Sequence, residues 1–226
     1  MLIFLYAIFP YTALTIMIVG SILRFIYQPL RWTSKSSELL EKKWLRYGSL
    51  LFHWGILFVF GGHVMGLLIP IEVYQTFHIS TETYHFMANL FGGITGLMAF
   101  SGVVILLLRR TFDPVVRRHS TISDYVALIV LFVIMGLGLF ETVFYNNIIG
   151  SYEYRLTINP WIREILVFHP NVTLMAHVPI LLQIHIFCAF LLFAATPFTR
   201  LVHIYSAPVR FPWRAPMQYR ARNRYR

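Results

Sequence analysis

The sequence contains few charged residues and only one cysteine. Charged residues make up 12% of its 226 residues, and hydrophobic residues make up 58%. A soluble domain is typically about a quarter charged, so this composition excludes an ordinary soluble domain and indicates an integral membrane protein. The single Cys188 excludes an internal disulfide and an iron–sulfur cluster held by cysteines. The residues from Leu2 onward lack the basic segment and cleavage site of a signal peptide, which indicates a first membrane span.

Five stretches have about the 20 apolar residues that a helix needs to cross a bilayer. They run from Leu2 to Tyr27, Leu50 to Ile69, Tyr84 to Leu108, Tyr125 to Tyr145 and Ala176 to Tyr205. Pro197 lies inside the fifth, where neighbouring helices can satisfy a freed carbonyl. We therefore predict an all-α integral membrane protein with five transmembrane helices over residues 1–208. We also predict a short surface helix near residues 160–167.

Lys and Arg total 19 against 9 Asp and Glu, and the basic residues lie on one side of the predicted spans. That side carries Arg31, Lys35, Lys42, Lys43, Arg46, Arg109, Arg110, Arg117 and Arg118, with Arg210, Arg214, Arg220, Arg222, Arg224 and Arg226 in the tail. The opposite connections hold only Arg155 and Arg163. The positive-inside rule then places the N-terminus outside, and the C-terminus with a basic tail at 209–226 in the cytoplasm. The charge pattern thus indicates membrane topology and not nucleic-acid binding.

Two predicted spans carry two histidines each, and such residues inside a membrane are costly and usually functional. They are His53 and His63 in the second span, and His185 and His203 in the fifth. With the orientation above, His53 pairs in depth with His203 near the inner surface, and His63 pairs with His185 toward the outer side. Two depth-matched pairs form the pattern that holds two haems, each clamped by imidazoles from two helices.

Ideal helices fit this pairing only in part. His185 and His203 are 18 residues apart, about 27 Å along one face, whereas His53 and His63 are about 15 Å and roughly 80° apart. The pairing therefore depends on which side of the membrane each histidine is nearer and on the order of the histidines in depth. We expect helix tilt and distortion near Pro197 to account for the unequal separations.

Glycines lie beside these histidines, and small residues are needed where a flat porphyrin meets a helix. The second span has Gly55, Gly61, Gly62 and Gly66, and the third has Gly92, Gly93 and Gly96. Small residues also let bare helices pack closely, so the glycines favour haem only in combination with the histidines.

Three other readings of the histidines remain open. A metal site without haem usually needs more ligands than the two in each pair. A proton relay usually adds a buried carboxylate, and spans two and five have none. A haem-free transporter or anchor would use the histidines structurally. That class more typically has carboxylates within the membrane, and Glu141, expected near the outer end of span four, is the one candidate.

Three more residues are candidates for binding. Tyr84 and His85 lie on the side of the outer pair, where a quinone pocket would need hydrogen-bond partners and a titrating group. Arg200, near His203, suits either a haem propionate or the lipid headgroups. The remaining histidines, His78, His119, His169 and His177, are predicted to be interfacial or loop residues.

The sequence resembles the gamma (cytochrome b) subunit of membrane-bound respiratory nitrate reductase along nearly its whole length. The matching segments are LFHWGILFVFGGHVMGLLIP (51–70), FGGITG in span three, LLLRRTFDP (106–114) and PFTRLVHIYSAP (197–208), with His185 upstream. The resemblance implies an enzyme subunit in the cytoplasmic (inner) membrane with two b haems, held by His63/His185 and His53/His203. It implies that quinol is oxidised near the outer haem. Electrons would pass inward to an iron–sulfur subunit and then to a molybdenum subunit that reduces nitrate.

One position departs from the family pattern, which has a lysine near the start of span three. Here that region reads STETYHFMANLFGG, with Tyr84 or His85 in place of the lysine. Either side chain can supply a hydrogen bond to a quinol. The alternatives are a different quinone, or a related nitrite-oxidising or sulfur-metabolising complex in which electrons run the other way.

Overall fold

The computed structural model describes residues 1–28, 37–148 and 150–204, and over these residues the chain is helical, without a β-strand. The predicted tail at 209–226 lies outside the described residues. A π-helical turn at Phe4–Ile8 leads into α1 (Phe9–Tyr27), followed by α2 (Lys43–Leu68), α3 (Ile71–Thr76), α4 (Thr81–Phe112), α5 (Pro114–Arg118) and α6 (Ile122–Phe140). A π-helical turn at Glu141–Tyr145 continues α6 into the single turn α7 (Asn146–Ile148). Then come α8 (Ile158–Leu166) and α9 (Ile180–Ala195), with 3₁₀ turns at Tyr154–Leu156, Val172–Met175, Thr196–Phe198 and Arg200–Ile204.

The predicted all-α architecture with five membrane spans is confirmed. Five helical segments are long and apolar enough to cross a membrane: Phe4–Tyr27, Lys43–Leu68, Thr81–Phe112, Ile122–Ile148 and Ile180–Phe198. Most of their apolar side chains face outward, which suits contact with lipid. We call the end of the bundle with the α5 connection the basic end, and the end with α3 and α8 the α8 end. Which end faces the cytoplasm stays a prediction.

Helix α2 begins seven residues earlier than its apolar run predicts, at Lys43 instead of Leu50. The Glu41 carboxylate accepts hydrogen bonds from the backbone N–H groups of Trp44 (2.9 Å) and Leu45 (3.2 Å). A carboxylate in this position satisfies free donors of the first turn and favours the positive end of the helix dipole. Local capping therefore extends the helix through residues too polar for a hydropathy criterion.

The fifth span is shorter than predicted, because the helix stops near Pro197. Helix α9 ends at Ala195, and Thr199 has an extended backbone (φ −116°, ψ 179°) before the turn that carries His203. Arg24 donates hydrogen bonds to the carbonyls of Pro197 and Thr199 (both 2.7 Å), and Ser123 donates to that of Phe198 (3.1 Å). These side chains satisfy the carbonyls that the break frees, as a membrane interior requires.

Helix α8 exists close to the predicted position, but one face of it is buried instead of lying on the surface. Trp161 is fully buried and donates from its indole nitrogen to the Tyr6 carbonyl (3.0 Å). The Asn159 amide donates to the carbonyls of Gly66 (3.1 Å) and Ile69 (2.8 Å). These are C-terminal carbonyls of α2 that lack a partner inside the helix, so α8 closes this end of the bundle.

Helices α2 and α4 cross at glycines that leave no room for a side chain. A Cβ atom on Gly102 would lie 2.3 Å from the backbone nitrogen of Phe52, and one on Gly55 would lie 2.5 Å from that of Ala99. This backbone-to-backbone contact is the small-residue packing common between membrane helices. It fixes the part of α2 that carries His53.

We predict that Gly102→Ala lowers the thermal stability of the purified protein, because the methyl group would force α2 and α4 apart. Overpacking of this kind typically costs about 1–3 kcal/mol. The matched control is Gly136→Ala, whose Cβ would meet Phe100 at an ordinary 3.5 Å. The control should keep the wild-type melting temperature in detergent or raise it slightly, and equal melting temperatures for the two variants would contradict this account of the crossing.

Candidate functional site

The structure brings the four histidines together in the two predicted pairs. The ring centroids of His53 and His203 are 6.1 Å apart, and those of His63 and His185 are 6.3 Å apart. The first pair lies toward the basic end and the second toward the α8 end. The planes meet at 67° in the first pair and at 14° in the second. Each pair joins α2 to the last part of the chain.

The Nδ1 atoms of three histidines are tied to backbone carbonyls. His53 donates to Ser49 (2.7 Å), His63 to Val59 (2.8 Å) and His203 to Arg200 (2.7 Å). A carbonyl oxygen only accepts, so in each of these rings the hydrogen is on Nδ1 and Nε2 keeps its lone pair. This is the arrangement in which a histidine binds a metal through Nε2 while its other nitrogen is held.

The pairs fit a metal ion between two imidazoles. Bonds of about 2 Å from Nε2 to one metal would put the two ring centroids about 6 Å apart, which matches both separations. Among the described residues, no three or more His, Cys, Asp or Glu side chains form a group that could hold a metal. Each pair thus offers two axial ligands, as a haem requires.

The glycines near the histidines divide into two kinds. A Cβ on Gly61 or Gly62 would meet nothing within 4 Å, so the surface of α2 beside His63 is open, as a flat ring requires. By contrast, Gly55 serves the crossing with α4, and Gly66 lies against the hydroxyls of Tyr154 and Tyr84. A Cβ on Gly92, Gly93 or Gly96 of α4 would lie at an ordinary contact distance from a side chain at the end of α6 or in the π-helical turn after it. Only Gly61 and Gly62 therefore support the haem interpretation.

His185 has different surroundings from the other three. Its Nδ1 lies 3.5 Å from Oε2 of Glu141, and a Cβ on Gly138 would lie 2.8 Å from its Cε1. Glu141 is buried, whereas its sequence position predicted a place near the edge of the membrane. A π-helical turn and α7 continue the fourth span beyond Glu141 to Ile148, and the depth of Glu141 in the membrane stays a prediction.

Tyr84 is buried and has a partner that the sequence did not predict. Its hydroxyl lies 2.7 Å from that of Tyr154, and the Arg155 guanidinium stacks 4.1 Å from its ring. Both hydroxyls face Gly66, one helical turn beyond His63. Burial raises the pKa of the Tyr154 hydroxyl far above its ordinary value, so this group stays protonated. The two tyrosines therefore form a hydrogen-bonded pair near His63.

His85 contacts a carboxylate at the same end of the bundle. Its Nε2 lies 3.2 Å from Oε2 of Glu153, and Arg155 holds both oxygens of that carboxylate at 2.7 Å. Burial raises the pKa of Glu153, but the hydrogen bonds from Arg155 and His85 outweigh it and lower the pKa below its ordinary value. Glu153 is thus an anion near neutral pH, beside an imidazole that can take up a proton.

Arg200 lies at the basic end, where its Nη1 is 3.4 Å from Asp124. Arg110 approaches the same carboxylate at 2.9 Å. Burial lowers the pKa of Arg200, and repulsion from Arg110 adds to this effect. The pairing of Arg200 with a haem propionate stays a prediction, while its contact with Asp124 was not expected.

The sequence did not indicate Glu153, Tyr154 or Arg155 as site residues. They lie in a polar connection with no periodicity, and only the fold brings them beside Tyr84 and His85. For Glu141 a signal did exist, since it is a carboxylate within an apolar stretch.

The comparisons with known proteins all indicate the same family. The profile described as nitrate reductase gamma subunit matches residues 2–222. The chain is 46% identical over 219 residues to the nitrate reductase gamma chain of Bacillus subtilis, covering 97% of this chain and 98% of that one. It is 34% identical over 221 residues to the respiratory nitrate reductase 1 gamma chain of Escherichia coli, covering 97% of each. It is also 39% identical to a third of the nitrate reductase-like protein NarX of Mycobacterium tuberculosis.

We predict that Glu153→Gln lowers the melting temperature by a few degrees at pH 7 and that the difference shrinks near pH 3. The pKa of Glu153 is lower in the folded chain than in the unfolded chain. Its ion pairs therefore contribute stability above the ordinary carboxyl range, and this is lost as the pH falls through the folded pKa. The measurement is thermal unfolding of the purified protein at both pH values.

The control for this experiment is Glu72→Gln, which removes an exposed carboxylate at the same end of the bundle. Its melting temperature should follow that of the wild type at both pH values. A Glu153→Gln difference that does not change between pH 7 and pH 3 would contradict the ion-pair explanation.

Proposed function

The chain belongs to the nitrate reductase gamma subunit family of multi-pass membrane proteins, and we propose that it is the di-haem cytochrome b subunit through which quinol supplies electrons to nitrate reduction. The observation that carries the proposal is the two pairs of imidazoles along α2, each with a centroid separation that matches two ligands on one metal. The nitrate-reducing chemistry itself belongs to a partner subunit.

Four histidines hold the cofactors in this proposal. His63 and His185 bind the haem nearer the α8 end, and His53 and His203 bind the haem nearer the basic end. When bound, the two haems supply reversible one-electron oxidation and reduction. The chain orients the rings through the Nδ1 contacts and leaves the surface at Gly61 and Gly62 flat. Arg200, which also contacts Asp124, would bind a propionate at the basic end.

The direction of transfer follows from the proposed topology. The α8 end faces outside and the basic end faces the cytoplasm, in agreement with the positive-inside rule. The cytoplasmic surface carries the basic loops and offers a positively charged docking face for an iron–sulfur subunit, which in turn serves a molybdenum subunit. Electrons then enter at the outer pair of histidines and leave at the inner pair.

Quinol oxidation takes place near His85 and Tyr84 in this proposal. Quinol becomes quinone by losing two electrons and two protons, so the site needs a proton acceptor open to the outer side. The His85 imidazole would accept the two protons in turn, releasing the first to the outer side before it takes the second, and the Glu153 carboxylate at 3.2 Å would stabilise the cation each time. The two electrons would leave toward the His63/His185 site. Tyr154 holds the Tyr84 hydroxyl in place at 2.7 Å. In this proposal Tyr84 or His85 takes the place of the lysine in the family pattern.

We predict that each ligand substitution removes one haem of two. His63→Ala or His185→Ala should lose the haem of the α8 end, and His53→Ala or His203→Ala should lose the other, because one imidazole is a poor substitute for two axial ligands. The measurement is haem per chain with a reduced-minus-oxidised optical spectrum. His169→Ala, at an exposed position, is the control and should keep both haems. Two haems retained in any ligand variant would refute that assignment.

We predict that His85→Gln slows the reduction of the haems by quinol at least about tenfold, because a positioned proton acceptor typically contributes about 10²–10⁴-fold. Haem content and reduction by dithionite should not change, since His85 lies outside both histidine pairs. Stopped-flow spectroscopy with a soluble quinol measures the rate. An unchanged rate in His85→Gln would move the site of proton transfer elsewhere.

A further inference from the structure

His185 is the one histidine of the four whose Nδ1 faces a carboxylate instead of a backbone carbonyl. Glu141 Oε2 lies 3.5 Å from this nitrogen, and the two side chains are 10% and 16% exposed. The His185 Nδ1 and the Glu141 Oε1 have no hydrogen-bond partner among the described residues. A charge-assisted hydrogen bond is about 2.7–2.9 Å long, so the 3.5 Å contact would have to shorten by about 0.6 Å to form one.

The end of α6 places Glu141 beside His185. Gly138 lacks the Cβ that would lie 2.8 Å from Cε1 and 3.4 Å from Nδ1 of His185, so the imidazole rests directly on the helix. The helix widens into a π-helical turn at Glu141–Tyr145, where Glu141 is the first residue. Such turns are rare and frequently occur at functional sites.

Burying the Glu141 carboxylate in the fourth span costs free energy. A carboxylate buried in an apolar span loses hydration and is found mainly where it has a partner or a function. The imidazole of His185 supplies that partner, since an imidazole that binds metal through Nε2 has its hydrogen on Nδ1 and needs an acceptor. Glu141 Oε2 lies 3.5 Å from that nitrogen, which has no hydrogen-bond partner among the described residues.

We propose that Glu141 is a positioning residue for His185, and that its negative charge lowers the reduction potential of the haem at His63/His185. This inference rests on the proposed function, because it requires that these histidines bind haem. A carboxylate on the second nitrogen of an imidazole ligand fixes the ring and makes the ligand more basic. The charge also favours the oxidised iron, whose positive charge is larger, whereas the carbonyl partners of the other three histidines carry no net charge.

The test is a potentiometric titration of both haems in the complete protein with Glu141→Gln. The amide keeps an oxygen that can accept from Nδ1 but loses the negative charge. Both haems should remain bound, the midpoint potential of the His63/His185 haem should rise, and that of the His53/His203 haem should stay at the wild-type value. Single-haem variants from the ligand substitutions assign each midpoint to its site.

Two further variants separate positioning from a general charge effect. Glu141→Leu removes the acceptor as well, so the electron paramagnetic resonance signal of that haem should also broaden or shift as the ring loses its fixed orientation. Glu72→Gln removes an exposed carboxylate at the same end of the bundle and should change neither midpoint. Glu141→Gln is close in shape to the natural residue, so it remains a test if Glu141→Leu fails to fold.

The inference would be overturned if both midpoints and the resonance signal of Glu141→Gln matched those of the wild type. It would also be overturned if Glu141→Gln slowed reduction by quinol without moving either midpoint, because that result would make Glu141 a proton acceptor. A wild-type protein without haem would instead refute the proposed function.

Discussion

The end of α9 at Ala195, just before Pro197, is the constraint on which the arrangement of the histidines depends. In an uninterrupted helix His185 and His203 would be about 27 Å apart, against about 15 Å for His53 and His63, and only one pair could meet. The extended residue Thr199 ends the helix and allows His203 to reach His53. A broken helix in a membrane must satisfy its freed carbonyls. Arg24 and Ser123 do so from α1 and α6, so three helices share in placing one imidazole.

The glycines have two physical roles that their positions in the sequence do not distinguish. At the crossing of α2 and α4, Gly55 and Gly102 bring two backbones into contact, so any side chain there would separate the helices. Beside His63, Gly61 and Gly62 face open space, so their lack of a side chain serves no contact within the described chain. The crossing holds α2 rigidly while the open stretch leaves one face flat. Both are needed if α2 is to carry two ligands for planar cofactors.

Sequence alone predicted the features that depend on composition and order along the chain. The five apolar runs follow from the thickness of the bilayer, and the pairing of His53 with His203 and of His63 with His185 follows from alternating span directions. It did not predict the contacts that depend on how helices rotate against one another. The hydrogen bond of Tyr84 to Tyr154 and the pairing of Glu141 with His185 join residues far apart in the chain, and no periodicity marks them. The break after Pro197 was expected only as a distortion, because the capping side chain of Arg24 belongs to another helix.

The two histidine pairs differ in what holds them. The Nδ1 contacts of His53, His63 and His203 are local, since each carbonyl lies three or four residues earlier in the same segment. In each case the helix or 3₁₀ turn that carries the histidine supplies the contact. The contact of His185 is tertiary and depends on α6 packing against α9 at Gly138. An electron carrier with two identical sites would gain no direction from its own ligands. Here one pair has only neutral, local Nδ1 partners, whereas the other includes Glu141 from another helix. In the proposed function, this difference would give the two haems different affinities for an electron.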